Sequence, residues 1–99
     1  MESSKILLEA IARKTSVEAT YNRTRVELAP HILYTRHGEL YVDAVTVGRD
    51  GRPPREVKLG TFKLSGLGAV AIAGRPFERD SVFDVGQPKY EGTTLFAVE

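Results

Sequence analysis

Residue types that commonly carry catalysis or bind metals are sparse in this chain. It has 99 residues, no cysteine and only two histidines, His31 and His37. The histidines stand six positions apart without a carboxylate at ligand spacing, so the pattern does not favour a metal site. Ser65, His31 and Asp43 could be named as a nucleophilic triad, but nothing in the sequence brings them together. We therefore expect no metal, no cofactor and no catalytic residue, with both histidines at the surface or in turns.

The stretch GLGAVA, residues 66–71, matches the glycine spacing of dinucleotide-binding loops. Such a loop follows a strand and opens a helix. Here Gly74 and Pro76 follow within a few residues and leave no room for a helix. We interpret these glycines as bends and close-packing positions, and we predict that the protein is not an enzyme.

Basic residues are the more informative feature. They cluster in the middle of the chain, at Arg49, Arg52, Arg55, Lys58 and Lys63. If they converge with Arg25 and His31 after folding, they form an anion pocket. Phosphate would be its natural guest, because guanidinium groups bind phosphate through paired hydrogen bonds. The alternative is a solvated loop and strand face, and the sequence leaves both open.

The stretch PHILYTRHGELYVDA, residues 30–44, predicts a β-hairpin with His37-Gly38 as a two-residue turn. Three pairs would then face each other: Arg36 with Glu39, Tyr34 with Tyr41, and Ile32 with Asp43. The opposite face would be core, with Leu33, Leu40, Val42 and Ala44. Because Asp43 shares the tyrosine face, we expect that face to be partly solvated. It is either a ligand surface or an ordinary wet sheet face.

The elements that would position these residues are one helix and a series of short strands. Apolar residues at helical spacing predict a helix over about 3–14. Alternating patterns predict strands over 16–21, 25–36, 39–47, 55–64 and 68–74, with a further edge strand at 93–98. Pro30 cannot donate a ladder hydrogen bond, so we expect a bulge, bend or edge there. Asp50-Gly51 predicts a turn.

This order predicts a mainly β protein in which five strands form a bent sheet or small barrel, accompanied by one N-terminal α-helix. We expect a single domain over residues 1–99. It would comprise the helix, a barrel over about 16–74, and an irregular tail over 75–99 that wraps the outside and contains the edge strand.

Charge and hydropathy narrow the class of partner. The net charge is only +1, but residues 21–74 carry eight basic and five acidic groups, a net +3. The middle of the chain is therefore mildly basic. No apolar run is long enough to span a bilayer and no signal-peptide pattern is present. With no cysteine, this favours a cytoplasmic protein without a membrane partner.

A helix leads into VEATY, followed by RVELAPH, ELYVDAV, FKLSGL and GRPF. This order of segments resembles the WYL domain family of bacteria. The name-giving tripeptide corresponds to Leu40-Tyr41-Val42. The family's Arg-x-Val-x-Pro-like element corresponds to Arg25, Val26 and Pro30, and its Phe-Arg-Leu-Asp-Arg-Ile element to residues 62–67. The resemblance covers about residues 5–85.

This resemblance implies an SH3-like, Sm-type fold and a sensor role beside a DNA-binding domain in transcription regulators. It implies a single-stranded nucleic acid or nucleotide ligand, held by a basic pocket that bears an aromatic residue. The candidate contacts are Arg25, His31, Tyr41 and Lys63, with Arg55 and Lys58 added by the loop. The second arginine of the family's last element is Gly66 here, and its aspartate is Ser65, so one phosphate contact is missing.

Two functions follow from these observations. The first is a ligand-sensing module that acts on a separate partner or within a longer regulator, since 99 residues leave no room for a DNA-reading helix pair. The alternative is a protein-interaction or self-association module that uses an exposed edge strand and has a degenerate pocket. Salt would distinguish them, because phosphate binding weakens steeply as salt rises.

Overall fold

The structure is a computed structural model that describes residues 2–54, 57–81, 83–84, 86–90 and 93–98. One helix is followed by six strands: α1 (Glu2–Arg13), β1 (Thr15–Tyr21), β2 (Thr24–Arg36), β3 (Glu39–Arg49), β4 (Leu59–Lys63), β5 (Gly68–Pro76) and β6 (Thr94–Ala97). Two short 3-10 turns lie at Leu64–Gly66 and Pro88–Tyr90. The predicted mainly β class with one N-terminal helix is confirmed.

The strands form one antiparallel sheet in the order β4-β3-β2-β1-β5, with β6 paired to β2. Within the described ranges β4 and β5 do not pair, so the sheet stays open rather than closing into a barrel. Gly66 ends a 3-10 turn and Gly68 begins β5. The GLGAVA stretch therefore opens no helix, as predicted.

Strand β2 is long and pairs with two different strands, β1 and β6, along one of its edges. Residues 24–28 pair with β1, whereas residues 32–34 pair with β6. Pro30 lies between the two segments, and the register to β3 shifts between Pro30 and Ile32. The extra residue is His31, which forms a bulge on β2. The break predicted at Pro30 is confirmed, since this residue has no N–H to give to a ladder.

Both predicted turns are confirmed by their backbone angles. His37 and Gly38 have φ of 52° and 77°, and Asp50 and Gly51 have φ of 50° and 78°. Two successive residues with positive φ are the mark of a tight type I′ hairpin. The hairpin register follows, with Arg36 opposite Glu39, Tyr34 opposite Tyr41 and Ile32 opposite Asp43.

The core lies between α1 and the sheet. Leu7, Ala10 and Ile11 are buried on one face of α1, as the helical spacing predicts. Leu33, Val42 and Ala44 are also buried, and Leu40 is half-buried. The predicted core face of the hairpin is therefore confirmed.

The tail after β5 packs against the face of the β2–β3 hairpin that carries Tyr34 and Asp43. We call its described residues, 77–81, 83–84 and 86–90, the C-terminal strap. Phe83 and Tyr90 of the strap are buried, and Tyr90 packs edge-on against Tyr34 at 5.2 Å between ring centroids. Tyr34 and Asp43 are 1% and 0% exposed. The expectation that the tyrosine face is partly solvated is wrong for these two residues, because the strap covers them.

Candidate functional site

Five basic side chains gather at one end of the sheet. We call this group the basic end: Arg25, Arg49, Arg52, Lys58 and Arg75. Arg25, Arg52 and Arg75 line a cleft of about 230 Å³. Arg49, Arg52 and Lys58 line a shallow groove of about 660 Å³ beside it. Arg52 and Pro53 belong to both linings, so the cleft and the groove are contiguous.

The hairpin around Asp50-Gly51 positions two of these arginines. The N–H of Arg49 donates to the carbonyl of Arg52 at 2.8 Å, and the N–H of Arg52 donates back at 2.9 Å. The Asp50 N–H donates to the carbonyl of Arg25 at 2.9 Å, which ties the turn to the start of β2. Neighbours paired in this way hold their side chains side by side.

Two other arginines of the basic end are held by carboxylates. Arg25 donates to Glu18 at 2.8 Å, across the β1–β2 pair. Arg75 Nε lies 3.2 Å from Glu27, which also accepts a 2.7 Å hydrogen bond from the buried Ser16 hydroxyl. These pairs fix two guanidinium groups at the rim of the cleft.

Arg49 and Arg52 differ from them. Both are exposed, and neither forms an ion pair or a side-chain hydrogen bond with any residue in the described ranges. Asp50, between them, is the nearest acidic residue in sequence. The basic end thus has five basic against three acidic groups, counting Glu18, Glu27 and Asp50. Its net +2 and its two unengaged guanidinium groups suit an anion.

Tyr41 and Lys63 lie together, away from the basic end. They are opposite each other on β3 and β4. The ring of Tyr41 stacks on that of Tyr34 at 6.0 Å and is half-buried. Lys63 donates to Glu39 at 2.7 Å, and this hydrogen bond raises the pKa of the lysine. Tyr41 is eight positions from Arg49 on β3, up to about 26 Å at roughly 3.3 Å per residue.

His31 is not a surface residue. It is 1% exposed, so the expectation that both histidines lie at the surface or in turns is correct for His37 only. Nδ1 of His31 donates to the carbonyl of Ala29 at 2.8 Å, and Nε2 accepts the N–H of Asp80 at 3.0 Å. Both ring nitrogens are engaged by backbone groups. His31 therefore has no free atom to offer a ligand in this conformation.

The structure thus separates the predicted contact residues into three places. Arg25 and Lys58 belong to the basic end, Tyr41 and Lys63 to the opposite end of the β3–β4 hairpin, and His31 to the interior. Arg55 lies outside the described residues. The described ranges contain no group of three or more potential metal-ligating side chains.

Sequence reasoning missed two features. Arg75, on β5, joins the basic end although it is remote in sequence from the central cluster. Asp43 is buried and accepts hydrogen bonds from Tyr34, at 2.7 Å, and from Tyr90. An aspartate within a strand-forming run was a signal for a buried polar cluster, because a carboxylate is buried only when it is hydrogen-bonded.

Within the described ranges, no helix has the length and apolar character needed to cross a bilayer. Comparisons with protein families, curated proteins and solved structures find no match to this chain.

Proposed function

We propose that this protein is a non-enzymatic module that binds the phosphate groups of a single-stranded nucleic acid or nucleotide at the basic end. The observation that carries the proposal is the placement of Arg49 and Arg52. The Asp50-Gly51 turn sets them side by side. Arg52 lines both the cleft and the groove, Arg49 lines the groove, and neither has a carboxylate partner in the described ranges. A planar guanidinium presents paired donors that match the oxygens of a phosphate.

The remaining residues of the basic end support an anion. Arg25 and Arg75 are already oriented by Glu18 and Glu27, so binding does not have to order them. Pro53 and Pro54 give the groove a rigid, apolar wall. The cysteine-free sequence fits the proposed cytoplasmic setting.

The distance between the basic end and Tyr41 distinguishes a mononucleotide from a single strand as the ligand. No aromatic residue lines the cleft or the groove. Base stacking would therefore fall to Tyr41, which is up to about 26 Å away at roughly 3.3 Å per residue. A mononucleotide could occupy only one of the two places. A strand several nucleotides long could place phosphates at the basic end and a base on Tyr41, so we favour the strand.

Fluorescence anisotropy tests the proposal. A short labelled single-stranded DNA is titrated with the protein at low and at moderate salt, using Arg49→Ala, Arg52→Ala and the control Arg36→Ala. Arg36 is an exposed arginine of β2 beside the other hairpin turn, and its loss removes the same charge. Each charge-assisted contact contributes about 1.5–3 kcal/mol, so we expect at least tenfold weaker binding for Arg49→Ala and Arg52→Ala. Arg36→Ala should bind nearly as well as the unaltered protein.

The salt dependence of binding and one further variant, Tyr41→Ala, complete the test. Binding should weaken as salt rises, with a slope reduced by about one in each affected variant. Tyr41→Ala should weaken binding of the strand but not of a labelled mononucleotide. The proposal fails if no DNA binds at low salt, or if Arg36→Ala weakens binding as much as Arg49→Ala and Arg52→Ala do.

Association that resists salt would favour the alternative, a protein-interaction or self-association module. The feature that would support it is β5, a nine-residue edge strand with Ile72 40% exposed. Its outer side pairs with no strand of the described ranges. Size-exclusion chromatography with light scattering would detect self-association in the same samples.

A further inference from the structure

His31 is one of the points at which the C-terminal strap is attached to the sheet, together with the contacts of Tyr90 to Tyr34 and Asp43. Its ring lies between two strap residues, stacked on Phe77 at 5.2 Å and edge-on to Phe83 at 5.4 Å. Its Nε2 accepts the N–H of Asp80 at 3.0 Å. The bulge after Pro30 is what places the ring there. One side chain thus contacts the strap through two rings and one hydrogen bond.

The hydrogen bonds determine the state of the ring. The carbonyl of Ala29 can only accept, so Nδ1 must carry a proton. The N–H of Asp80 can only donate, so Nε2 must be without one. The strap as it stands therefore requires neutral imidazole in the Nδ1–H form. A second proton would go to Nε2 and oppose the Asp80 N–H, donor against donor.

The charges around the ring act in both directions. Burial lowers the pKa of His31, and this is the largest effect; the Asp80 carboxylate raises it, and Arg79 lowers it. Beyond these, Lys14 at the end of α1 pairs with Glu78 at 3.4 Å beside Phe77. Val98, which follows β6, donates its N–H to the His31 carbonyl at 2.7 Å, and the residues of β6 carry no charge. Of the three acidic strap residues, Glu78, Asp80 and Asp84, only Asp80 raises the pKa of the imidazole, and Glu78 is paired with Lys14.

We propose that the C-terminal strap is a proton-controlled cover, which neutral His31 holds on the sheet and which protonation of Nε2 releases. Release breaks the hydrogen bond between Asp80 and His31. It also separates Phe77 and Phe83 from His31, and Tyr90 from Tyr34. It uncovers Tyr34 and Asp43 next to Tyr41, and so enlarges the aromatic surface at that end of the hairpin. This inference does not depend on anion binding at the basic end, and each can fail without the other.

Nuclear magnetic resonance tests the cover directly, because the chain has only two histidines. Near neutral pH, long-range ¹H–¹⁵N correlation should show His31 with a protonated Nδ1 and a bare Nε2, whereas His37, in an exposed turn, should show exchange between tautomers. On acidification, the amide signals of the strap should change together with protonation of the His31 ring, whose pKa is lowered by burial. Signals of the β3–β4 hairpin should stay native, which separates release from global unfolding.

Two variants identify the residue that controls the transition. In His31→Gln the side-chain oxygen can still accept the Asp80 N–H but cannot titrate, so strap signals should stay in their neutral-pH positions. His37→Gln is the matched control and should keep the transition. The proposal is overturned if Nε2 of His31 carries the proton near neutral pH, or if its ring titrates while the strap signals do not move. Should His31→Gln not fold, the ring and strap titrations in the unaltered protein and in His37→Gln decide the question.

Discussion

At the scale of single residues, Asp43 shows how a charge is accommodated in a small core. The carboxylate is fully buried, yet each of its oxygens accepts a tyrosine hydroxyl, one from Tyr34 and one from Tyr90. Burial, and then the hydrogen bond to Asp43, raises the pKa of Tyr34 to about 12. The same two causes raise the pKa of Tyr90. The hydroxyls thus stay protonated and serve as donors.

Removing one of these donors should be costly. We expect Tyr90→Phe to lower the free energy of unfolding by about 1–3 kcal/mol, because the buried carboxylate loses one hydrogen-bond donor. Urea denaturation monitored by circular dichroism measures the difference. Tyr41→Phe is the control, since Tyr41 is only half-buried and its hydroxyl makes no hydrogen bond within the described ranges. Equal losses in the two variants would show that the Asp43 contact has no special weight.

At the scale of elements, the turn at Asp50-Gly51 links backbone conformation to the proposed site. Gly51 has φ of 78°, and nothing lies within 4 Å of where a Cβ would be. Gly51→Ala therefore introduces strain but no clash. We expect a loss of about 1–2 kcal/mol of stability and weaker DNA binding, because the turn aligns Arg49 and Arg52.

The matched control for that prediction is Gly48→Ala, near the end of β3 and three positions before Gly51. An added Cβ there would meet Glu27 at an ordinary 3.6 Å, and the φ of Gly48 is not positive. Denaturation and anisotropy should both show a smaller effect than for Gly51→Ala. If Gly51→Ala lost stability but bound DNA normally, the turn would matter to the fold and not to the site.

Most of the elements could be predicted from the sequence because their signals are local. Alternation along β1, β2 and β3 and the turn residues His37-Gly38 and Asp50-Gly51 act within a few positions. The strap sequence shows no periodic spacing of apolar residues. Its three anchoring aromatic residues, Phe77, Phe83 and Tyr90, lie six and seven positions apart in irregular chain, so the sequence indicated wrapping but not what would be covered.

The site was harder to predict for the same physical reason. Whether His31 and Asp43 are wet depends on the strap, which joins them from 49 and 47 positions away. Whether Arg25 and Tyr41 share a pocket depends on how far apart the β2–β3 hairpin holds them. The residue types alone give neither the course of the strap nor the distances along the strands. The predicted site therefore combined the buried His31 with two separate surfaces, the basic end and the surface at Tyr41 and Lys63.

At the scale of the whole molecule, the buried titratable groups set the pH range of stability. The pKa of His31 is lowered on folding, so below about pH 6.5 the unfolded chain takes up a proton that the folded chain does not. The pKa of Tyr34 is raised to about 12, so above about pH 10 the unfolded chain releases a proton that the folded chain keeps. The free energy of unfolding should therefore be highest between about pH 6.5 and about pH 10 and should decrease outside this plateau.

Urea denaturation at a series of pH values from about 5 to about 11 checks this plateau. Each titrating group contributes a slope of up to about 1.4 kcal/mol per pH unit. Tyr34→Phe should make the alkaline limb shallower without abolishing it, because the pKa of Tyr90 is also raised. His31→Gln should flatten the acid limb and leave the alkaline limb unchanged. An acid limb that persists in His31→Gln and disappears in His37→Gln would contradict the assignment.

The division of β2 between two neighbours has a consequence for how the chain folds. β1 and β3 are close to β2 in sequence, so their pairings can form early, whereas β6 pairs with residues 32–34 from about 60 positions downstream. On a growing chain, half of one edge of β2 would stay open until β6 has been synthesised. Because distant contacts close slowly, this pairing should come last and set the pace of folding. Until then, the nascent protein exposes a strand edge that a chaperone or a second nascent chain could occupy.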